Sequence, residues 1–361
     1  MNILVDIGHP GHVHLLKNTI KLFKNNGHTV IITVKDIPIA KHLLEIEGLD
    51  YFELGKKSNS IAGKALNQVK YNYQLLRMVK KFRIDIGVGS SLTLAQISVI
   101  SKMTSIILDD DDDVIQPLFV KYGHPFADVI LTPDAILRKS KKALYYSGTH
   151  ELAYLHPKYF TPDPAVIREI GLTPEDTFFI MRFVALKGHH DIGHSGISFE
   201  QKKRLIELLK PYGRIFITSE KEIEPELEEY RLPVSAEKIH SLMYYATLFL
   251  GDSQTMTSEA AILGTPALKC NSFAGRLSVP NELENKYGLC YSYTPAQFED
   301  FYAHAAKMLK QNDLKTEWKK KCERFLNDKI DVTAFFVWFI ENNPQSYEKM
   351  KLNPEYQYIF R

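Results

Sequence analysis

The loop after the first predicted strand combines glycines with histidines. Gly8 and Gly11 allow a ligand to approach the backbone closely, and the helix beyond them begins with unpaired N–H groups that attract anions. His9 and His12 lie in the same loop, where an imidazole can act as a general base or donate to a phosphate. We predict His12, and after it His9, as a catalytic base. A tight turn with solvated histidines is the alternative.

A second set of polar residues opens a helix after a short apolar strand. Asp252, Ser253, Gln254 and Thr255 stand at its first turn, where unpaired N–H groups and the positive end of the helix dipole favour a diphosphate. Glu259 follows in the second turn and could accept hydrogen bonds from a ribose diol. We predict that these five residues bind substrate. The alternative is an ordinary helix capped by Asp252 or Ser253.

Positive charge is concentrated after the first predicted strand of the second half of the chain. Arg182, Lys187, His189 and His190 lie close together there and could neutralise a diphosphate. Nearby glycines favour a loop that can close over the ligand. We predict that these four residues bind substrate, and the alternative is a solvated surface loop.

An acidic run, residues 109–113, follows another predicted strand. Adjacent carboxylates repel one another, and such runs usually face solvent. Because this run follows a strand of the first half, one member could act as a general base, and we take Asp110 as the candidate. The run and the histidines of the opening loop could also form a metal site. Their spacing matches no specific ligand pattern, however, and we expect no metal.

Alternating strands and helices must position these residues. A chain of 361 residues is too long for one ordinary α/β core and suits two domains. β-rich runs alternate with helical patterns in both halves, which predicts right-handed βαβ units and parallel sheets. A proline-rich stretch, 156–164, separates the halves. We therefore predict an α/β protein of two Rossmann-like domains facing a cleft, where ligands bind at the carboxyl ends of the strands.

The predicted domains are residues 1–157 and residues 165–330, and residues 331–361 form a C-terminal helix and tail that could cross back onto the first domain. A net charge of +2 argues against nucleic acid as a partner. Three isolated cysteines fit a reducing compartment, and neither a signal peptide nor a bilayer span is indicated, so we expect a cytoplasmic protein. The basic pattern of residues 56–83 is either a solvated helix face or a peripheral contact with anionic lipid of the inner membrane.

Residues 246–288 resemble the donor-binding half of MurG-like glycosyltransferases and of UDP-N-acetylglucosamine 2-epimerases. The matching residues are Asp252, Ser253, Glu259, Gly264 and Pro266. The loop from Gly8 to Val13 resembles the glycine-rich first loop of the MurG-like enzymes. Over nearly its full length, the chain resembles a bacterial and archaeal family of unknown function that is grouped with this glycosyltransferase-B and epimerase superfamily.

The resemblance implies a glycosyltransferase-B fold, with a nucleotide-diphosphate sugar on the second domain and a hydroxyl acceptor on the first. Glu259 would hold the ribose, and the turn from Ser253 to Thr255 the diphosphate. Helix dipoles and basic side chains would neutralise the leaving diphosphate, so neither a metal nor a cofactor is expected. The function implied is a glycosyltransferase of surface polysaccharide or glycolipid assembly, for which a lipid-linked acceptor is one candidate.

Two alternatives stay open. The first is a sugar-nucleotide 2-epimerase, although the turn from Gly87 to Ser91 lacks the aspartate that the epimerases carry there. Their later Pro-Glu-Glu-like segment is also absent unless the acidic run substitutes for it. The second is a non-catalytic sugar-nucleotide-binding protein, which would bind a nucleotide without turning it over.

Overall fold

The computed structural model describes residues 1–56, 61–184, 196–219 and 222–361. These residues form two compact units. Unit 1 consists of Met1–Tyr159 together with Lys329–Arg361, and unit 2 consists of Phe160–Asp328.

A seven-stranded parallel sheet forms the centre of unit 1 as described. Its strands are β1 (Asn2–Ile7), β2 (Thr29–Asp36), β3 (Phe52–Lys56), β4 (Ile86–Gly89), β5 (Thr104–Leu108), β6 (Val129–Pro133) and β7 (Ala143–Tyr146). They are arranged in the order β3-β2-β1-β4-β5-β6-β7. Parallel strands require crossover connections, which place helices on both faces and bury the strands as apolar runs.

Among the described residues, five helices connect these strands and a sixth follows β7. They are α1 (Pro10–Asn25), α2 (Pro38–Ile46), α3 (Ile61–Phe82), α4 (Leu92–Ser98), α5 (Pro117–Tyr122) and α6 (Leu152–Leu155). α1 shows why they form. Pro10 is pre-organised for the first helical turn, Leu16, Ile20 and Phe23 recur at helical spacing on the buried face, and Gly27 takes a positive φ of 82° just beyond the end.

A five-stranded parallel sheet forms the centre of unit 2 as described. Its strands are β8 (Phe178–Phe183), β9 (Arg214–Ser219), β10 (Leu248–Gly251), β11 (Ala267–Cys270) and β12 (Cys290–Tyr293), in the order β12-β11-β10-β8-β9. The α-helices are α7 (Ala165–Glu169), α8 (Phe199–Leu209), α9 (Ile239–Tyr245), α10 (Gln254–Ile262), α11 (Ser278–Asn285), α12 (Phe298–Met308) and α13 (Leu314–Asp328). Short 3₁₀ helices cover Pro225–Tyr230, Ala236–Lys238 and Pro295–Gln297.

The C-terminal segment of the chain belongs to unit 1. It contains α14 (Val332–Glu341), α15 (Gln345–Leu352) and a 3₁₀ helix, Pro354–Phe360. Phe335, Phe336 and Phe339 of α14 are fully buried, and the ring of Phe336 lies edge-on to that of Tyr146 with 5.2 Å between the centroids. Aromatic burial of this kind makes the segment part of the unit 1 core.

Two strands, β7 and β12, were not predicted from the sequence. Both lie at the edge of their sheet, and three of the four residues in each are only partly buried. These two short strands therefore lack the continuous apolar run that marks a buried parallel strand. Within the described ranges, no helix is both long enough and apolar enough to cross a membrane.

Candidate functional site

The opening loop places His9 and His12 at the amino end of α1. Nδ1 of His9 accepts a hydrogen bond from the N–H of Gly11 at 3.1 Å and so caps the helix. Nδ1 of His12 accepts one from the N–H of Gly8 at 3.2 Å. A neutral imidazole carries one proton, so this bond leaves the proton of His12 on Nε2, which can donate but not accept.

The acidic run is not a uniformly solvated surface, contrary to the expectation from charge repulsion. Asp109 is buried, and its carboxylate lies 2.8 Å from Nε2 of His124 and 3.1 Å from the guanidinium of Arg138. Arg138 also contacts the carboxylate of Asp113 at 2.8 Å and donates to the hydroxyl of Thr132 at 2.9 Å. These ion pairs offset the repulsion between the carboxylates. Asp109 and Asp113 therefore hold the loop that follows β5 in place.

Asp110 has a different partner, His150, which follows β7. Its Oδ2 lies 3.0 Å from Nδ1 of the buried His150. The carboxylate accepts a hydrogen bond from Nδ1–H of His150, so the neutral ring presents Nε2 as an acceptor. Within the described part of the chain, Nε2 of His150 and the hydroxyl of Tyr146 are buried without a hydrogen-bond partner. Such orphaned polar atoms are rare in native proteins and mark this place as a candidate ligand site.

The side chains of His12, Asp110, Asp111, His150 and Glu151 interact with one another and form one titratable cluster. The pKa values of several of these groups are shifted. Burial opposes the charged form of His150, but the charge of Asp110 and the hydrogen bond to it raise the pKa of His150 above its ordinary value. Burial, and then the charge of Asp110, raises the pKa of Glu151 to about 7. Asp111 contacts solvent, but the surrounding protein removes part of its hydration. This desolvation, and then the charges of Asp110 and Asp109, raise the pKa of Asp111 to about 7.

His12 shifts in the opposite direction. Burial, and then the charges of His9 and His150, lower the pKa of His12 to about 3, so it is neutral at physiological pH. With its proton on Nε2, a neutral imidazole can stabilise negative charge that develops on a nearby oxygen. The cluster thus offers three abilities. The neutral form of His150 can accept a proton, the protonated form of Glu151 can supply one, and neutral His12 can donate a hydrogen bond.

Sequence reasoning singled out His12 and Asp110 as candidates but not His150 and Glu151, which the structure places in the same cluster. The available signal was the segment Gly148-Thr149-His150-Glu151, which follows the aromatic run of β7. Since parallel strands end at the same edge of the sheet, recognition of β7 would have placed these side chains beside the acidic run.

In unit 2, the turn between β10 and α10 is held by Asp252 and Ser253. Ser253 caps α10 through its hydroxyl, and the carboxylate of Asp252 accepts from the N–H of Val184 at 2.8 Å. Burial raises the pKa of Asp252 to about 6. Asp252 thus ties the end of β8 to this turn, while Thr255 is exposed in the first turn of the helix. The capping alternative therefore describes Ser253, and Thr255 is accessible to a ligand.

Glu259 lies in the second turn of α10 and faces His240 of α9. Its Oε1 is 3.0 Å from Nε2 of His240, and the two side chains are only 7% and 8% exposed. The ring of Phe160 packs edge-on against His240. The residue predicted to hold a ribose is therefore a buried carboxylate with a histidine neighbour.

Lys269 of β11 was not predicted and is buried beside the amino end of α10. Its ammonium donates a hydrogen bond to Oε1 of Gln254, and burial lowers its pKa to about 8. Among the described residues, the amide nitrogen of Gln254 and the hydroxyl of Ser292, the neighbour of Lys269 across β11 and β12, are buried without partners. A cation and two unpaired donors near a helix amino end suit an anion.

The basic residues predicted after β8 are only partly described. Arg182 donates to the hydroxyl of Thr218 at 2.9 Å across β8 and β9. Lys187, His189 and His190 lie outside the described residues. In the ranges that the structure covers, no group of three or more His, Cys, Asp or Glu side chains has the geometry to hold a metal ion.

Each unit has a parallel sheet with polar residues at the carboxyl ends of its strands, and the pair of units belongs to the glycosyltransferase-B class of α/β folds. The fold is similar to the S. aureus MnaA–UDP structure, with a TM-score of 0.68, 13% identity and coverage of 98% of this chain and 97% of that one. Similarity extends to a UDP-GlcNAc 2-epimerase from Methanocaldococcus jannaschii (TM-score 0.62, 16% identity, coverage 86% and 94%). The spinosyn rhamnosyltransferase SpnG complexed with thymidine diphosphate is also similar (TM-score 0.63, 13% identity, coverage 94% and 100%). These likenesses confirm the predicted fold class.

The chain belongs to the family described as "Protein of unknown function (DUF354)", whose model matches residues 1–334. It is also 23% identical over 286 residues to the Uncharacterized protein MJ0665 of Methanocaldococcus jannaschii, a match that covers 75% of this chain and 82% of that protein. The family and the fold together confirm the resemblance inferred from the opening loop and from the segment between Asp252 and Pro266.

Proposed function

We propose that this protein is a glycosyltransferase that moves a sugar from a nucleotide-diphosphate sugar to a hydroxyl acceptor. The observation that carries the proposal is the contact between Asp110 and His150, which leaves a buried Nε2 to accept a proton. Transfer to a hydroxyl needs a group that removes the hydroxyl proton as the new bond forms. His150 supplies that base, and Asp110 fixes its tautomer and stabilises the imidazolium that results.

His12 takes a supporting role in this mechanism rather than the role of base predicted from the sequence. The Gly8 N–H occupies its Nδ1, so only the Nε2 proton is available. In this mechanism, Nε2–H of His12 donates a hydrogen bond to a substrate oxygen that gains negative charge during the reaction. His9 supports the same loop by capping α1.

The diphosphate of the donor is assigned to the first turn of α10 in unit 2. The helix dipole, the N–H groups of Gln254 and Thr255 and the buried ammonium of Lys269 all favour an anion there. Arg182 and Glu259 keep their predicted roles toward diphosphate and ribose. Similar structures were solved with UDP and with thymidine diphosphate, which supports a nucleoside diphosphate as the ligand class. Because the protein's own groups neutralise the leaving diphosphate, the proposal needs neither a metal nor a cofactor.

A sugar-nucleotide 2-epimerase is the second candidate, and Glu151 is the observation that favours it. Epimerisation at C2 removes a proton from carbon and returns one to the opposite face, so it needs both a base and an acid. His150 and Glu151, with a pKa of about 7, could share these tasks. The epimerases among the similar structures support this reaction class.

The proposed setting is the cytoplasmic assembly of a surface polysaccharide or glycolipid. The acceptor would be a hydroxyl group, for which a lipid-linked sugar is one candidate, and no nucleic acid takes part. This setting follows from the superfamily resemblance together with the near-neutral net charge of +2.

Turnover of donor with and without acceptor separates the candidates. The purified protein is incubated in D₂O with UDP-, GDP- and TDP-sugars, and NMR follows free nucleotide and deuterium at C2. Transfer predicts nucleotide release only with an acceptor, whereas epimerisation predicts deuterium at C2 without one. His150→Gln should stop either reaction, while the exposed control His42→Gln on α2 should not. Nucleotide binding without turnover would indicate the non-catalytic alternative, and no binding of any nucleotide contradicts the proposal.

A further inference from the structure

The exposed face of α3 carries apolar side chains in water. Leu66, Val69 and Tyr73 are 73%, 68% and 61% exposed, and their spacing places them on one side of the helix. Leu75 and Val79 on the other side are buried in the core of unit 1. Folding of unit 1 therefore leaves this apolar side uncovered.

The same face is cationic along its length. Lys70, Arg77, Lys80 and Lys81 are exposed, and the α3 sequence from Ile61 to Phe82 contains no aspartate or glutamate. The guanidinium of Arg77 lies 5.8 Å from the ring centre of Tyr73, so the cationic part continues directly from the apolar part.

A groove runs beside this helix between α3 and β3. Its volume is about 600 Å³, and its lining includes Phe52, Tyr73, Arg77 and Lys81. Phe52 is itself 47% exposed. Aromatic side chains next to cations are typical of surfaces that rest at the boundary between lipid headgroups and acyl chains.

We propose that this face of α3 docks on a membrane surface that contains anionic lipid. Contiguous exposed apolar side chains mark a surface that a partner covers, and the cations select a partner with negative charge. An acidic protein or a nucleic acid would use the cations but would leave Leu66 and Val69 without a role. Anionic lipid uses both features, since headgroups pair with the cations and the apolar side chains enter the acyl boundary. The proposal is independent of the reaction that the protein catalyses.

Vesicle sedimentation of the full chain tests the proposal. The protein is mixed with vesicles of phosphatidylcholine alone or of phosphatidylcholine with phosphatidylglycerol, at low and at high salt. The apolar variant carries Leu66→Ser, Val69→Ser and Tyr73→Ser, and the cationic variant carries Arg77→Gln, Lys80→Gln and Lys81→Gln. The matched control removes three exposed lysines outside α3, by Lys24→Gln, Lys210→Gln and Lys310→Gln. Thermal melts confirm that each variant is folded.

We expect the wild-type chain to bind only vesicles that contain phosphatidylglycerol, and to bind less at high salt. Each cation lost from α3 should weaken partitioning about fivefold, so the cationic variant should lose about a hundredfold. The apolar variant should also lose binding, and the control should keep most of it. Absence of wild-type binding, or an equal loss in the control, overturns the proposal. Dimers in gel filtration that the apolar variant abolishes, or preferential binding of single-stranded RNA, would overturn it as well.

Discussion

Nδ1 of His150 lies 3.0 Å from Oδ2 of Asp110, and the two residues come from loops that follow β7 and β5. These strands are not neighbours in the sheet, because β6 lies between them. The contact exists because parallel strands end at one edge, where the following loops converge. Asp110 can thus orient His150 from a segment 40 residues away in the sequence.

Replacing His150 by glutamine should remove the proposed base. His150→Gln keeps the size and polarity of the side chain, so we expect an unchanged nucleotide affinity and a rate about 100- to 10,000-fold lower.

Asp110→Asn removes the charge that raises the pKa of His150, so the acidic limb of the pH–rate profile should move to lower pH. Calorimetry measures the affinity, and steady-state rates across pH give the profile.

Asp112→Asn in the same acidic run is the control for these two variants, because Asp112 has no assigned role in the reaction. Its pH–rate profile should match that of the wild-type protein. A wild-type rate in His150→Gln, or an acidic limb that stays in place in Asp110→Asn, would refute the role of the pair.

Glu151 should give stability a pH dependence opposite to that of a salt-bridged carboxylate. Its pKa is about 7 in the folded protein and about 4.3 in an unfolded chain. The unfolded chain releases the proton first, so the free energy of unfolding falls as the pH rises from about 4 to about 7. Glu151→Gln avoids this loss and should be more stable above pH 7 by up to about 4 kcal/mol. Thermal melts across pH check this, with the exposed Glu207→Gln as control, and parallel curves for Glu151→Gln and wild type would contradict it.

The sequence predicts the fold well where strands are buried on both faces. β1 and β8 are buried along nearly their whole length and contain the apolar runs 3–5 and 178–181, since parallel strands covered by helices have no solvated side. β7 mixes tyrosines with partly exposed positions at the sheet edge, and its pattern does not distinguish it from a loop. His150 and Glu151 follow that strand, so the missed strand and the missed site residues have the same cause.

The partners within the site could not be predicted for a different reason. Asp109 is held by His124 and Arg138, which come from other loops, and no spacing in the sequence marks these contacts. Lys269 occurs inside a strand between apolar residues, and only the position of Gln254 shows that its ammonium lies beside the amino end of α10. Such pairs depend on side-chain packing after the chain has folded, which periodicity does not encode.

Lys269→Met should stabilise the fold while it weakens nucleotide binding. The pKa of Lys269 is about 8 in the folded protein and about 10.4 in an unfolded chain, so holding the charge at pH 7 costs up to about 3 kcal/mol. In the wild-type protein this cost declines as the pH rises from about 8 to about 10, because the folded state loses its proton first. Methionine fills the space without charge, and chemical denaturation at pH 7 measures the gain, with the exposed Lys210→Met as control. A stabilised variant with unchanged nucleotide affinity would exclude Lys269 from the proposed anion site.

Glu259→Gln should abolish discrimination between ribose and deoxyribose. If the carboxylate accepts hydrogen bonds from the ribose hydroxyls, wild-type protein should bind a nucleoside diphosphate at least about tenfold more tightly than its 2′-deoxy form, since hydrogen bonds to charged groups contribute about 1.5–3 kcal/mol. The glutamine retains an oxygen that can accept from His240, which lies 3.0 Å from Oε1, so the fold of α10 should persist. Calorimetric titration of both nucleotides into both proteins gives the four affinities. Equal preference for the ribose form in the wild type and in Glu259→Gln would show that the carboxylate serves only its contact with His240.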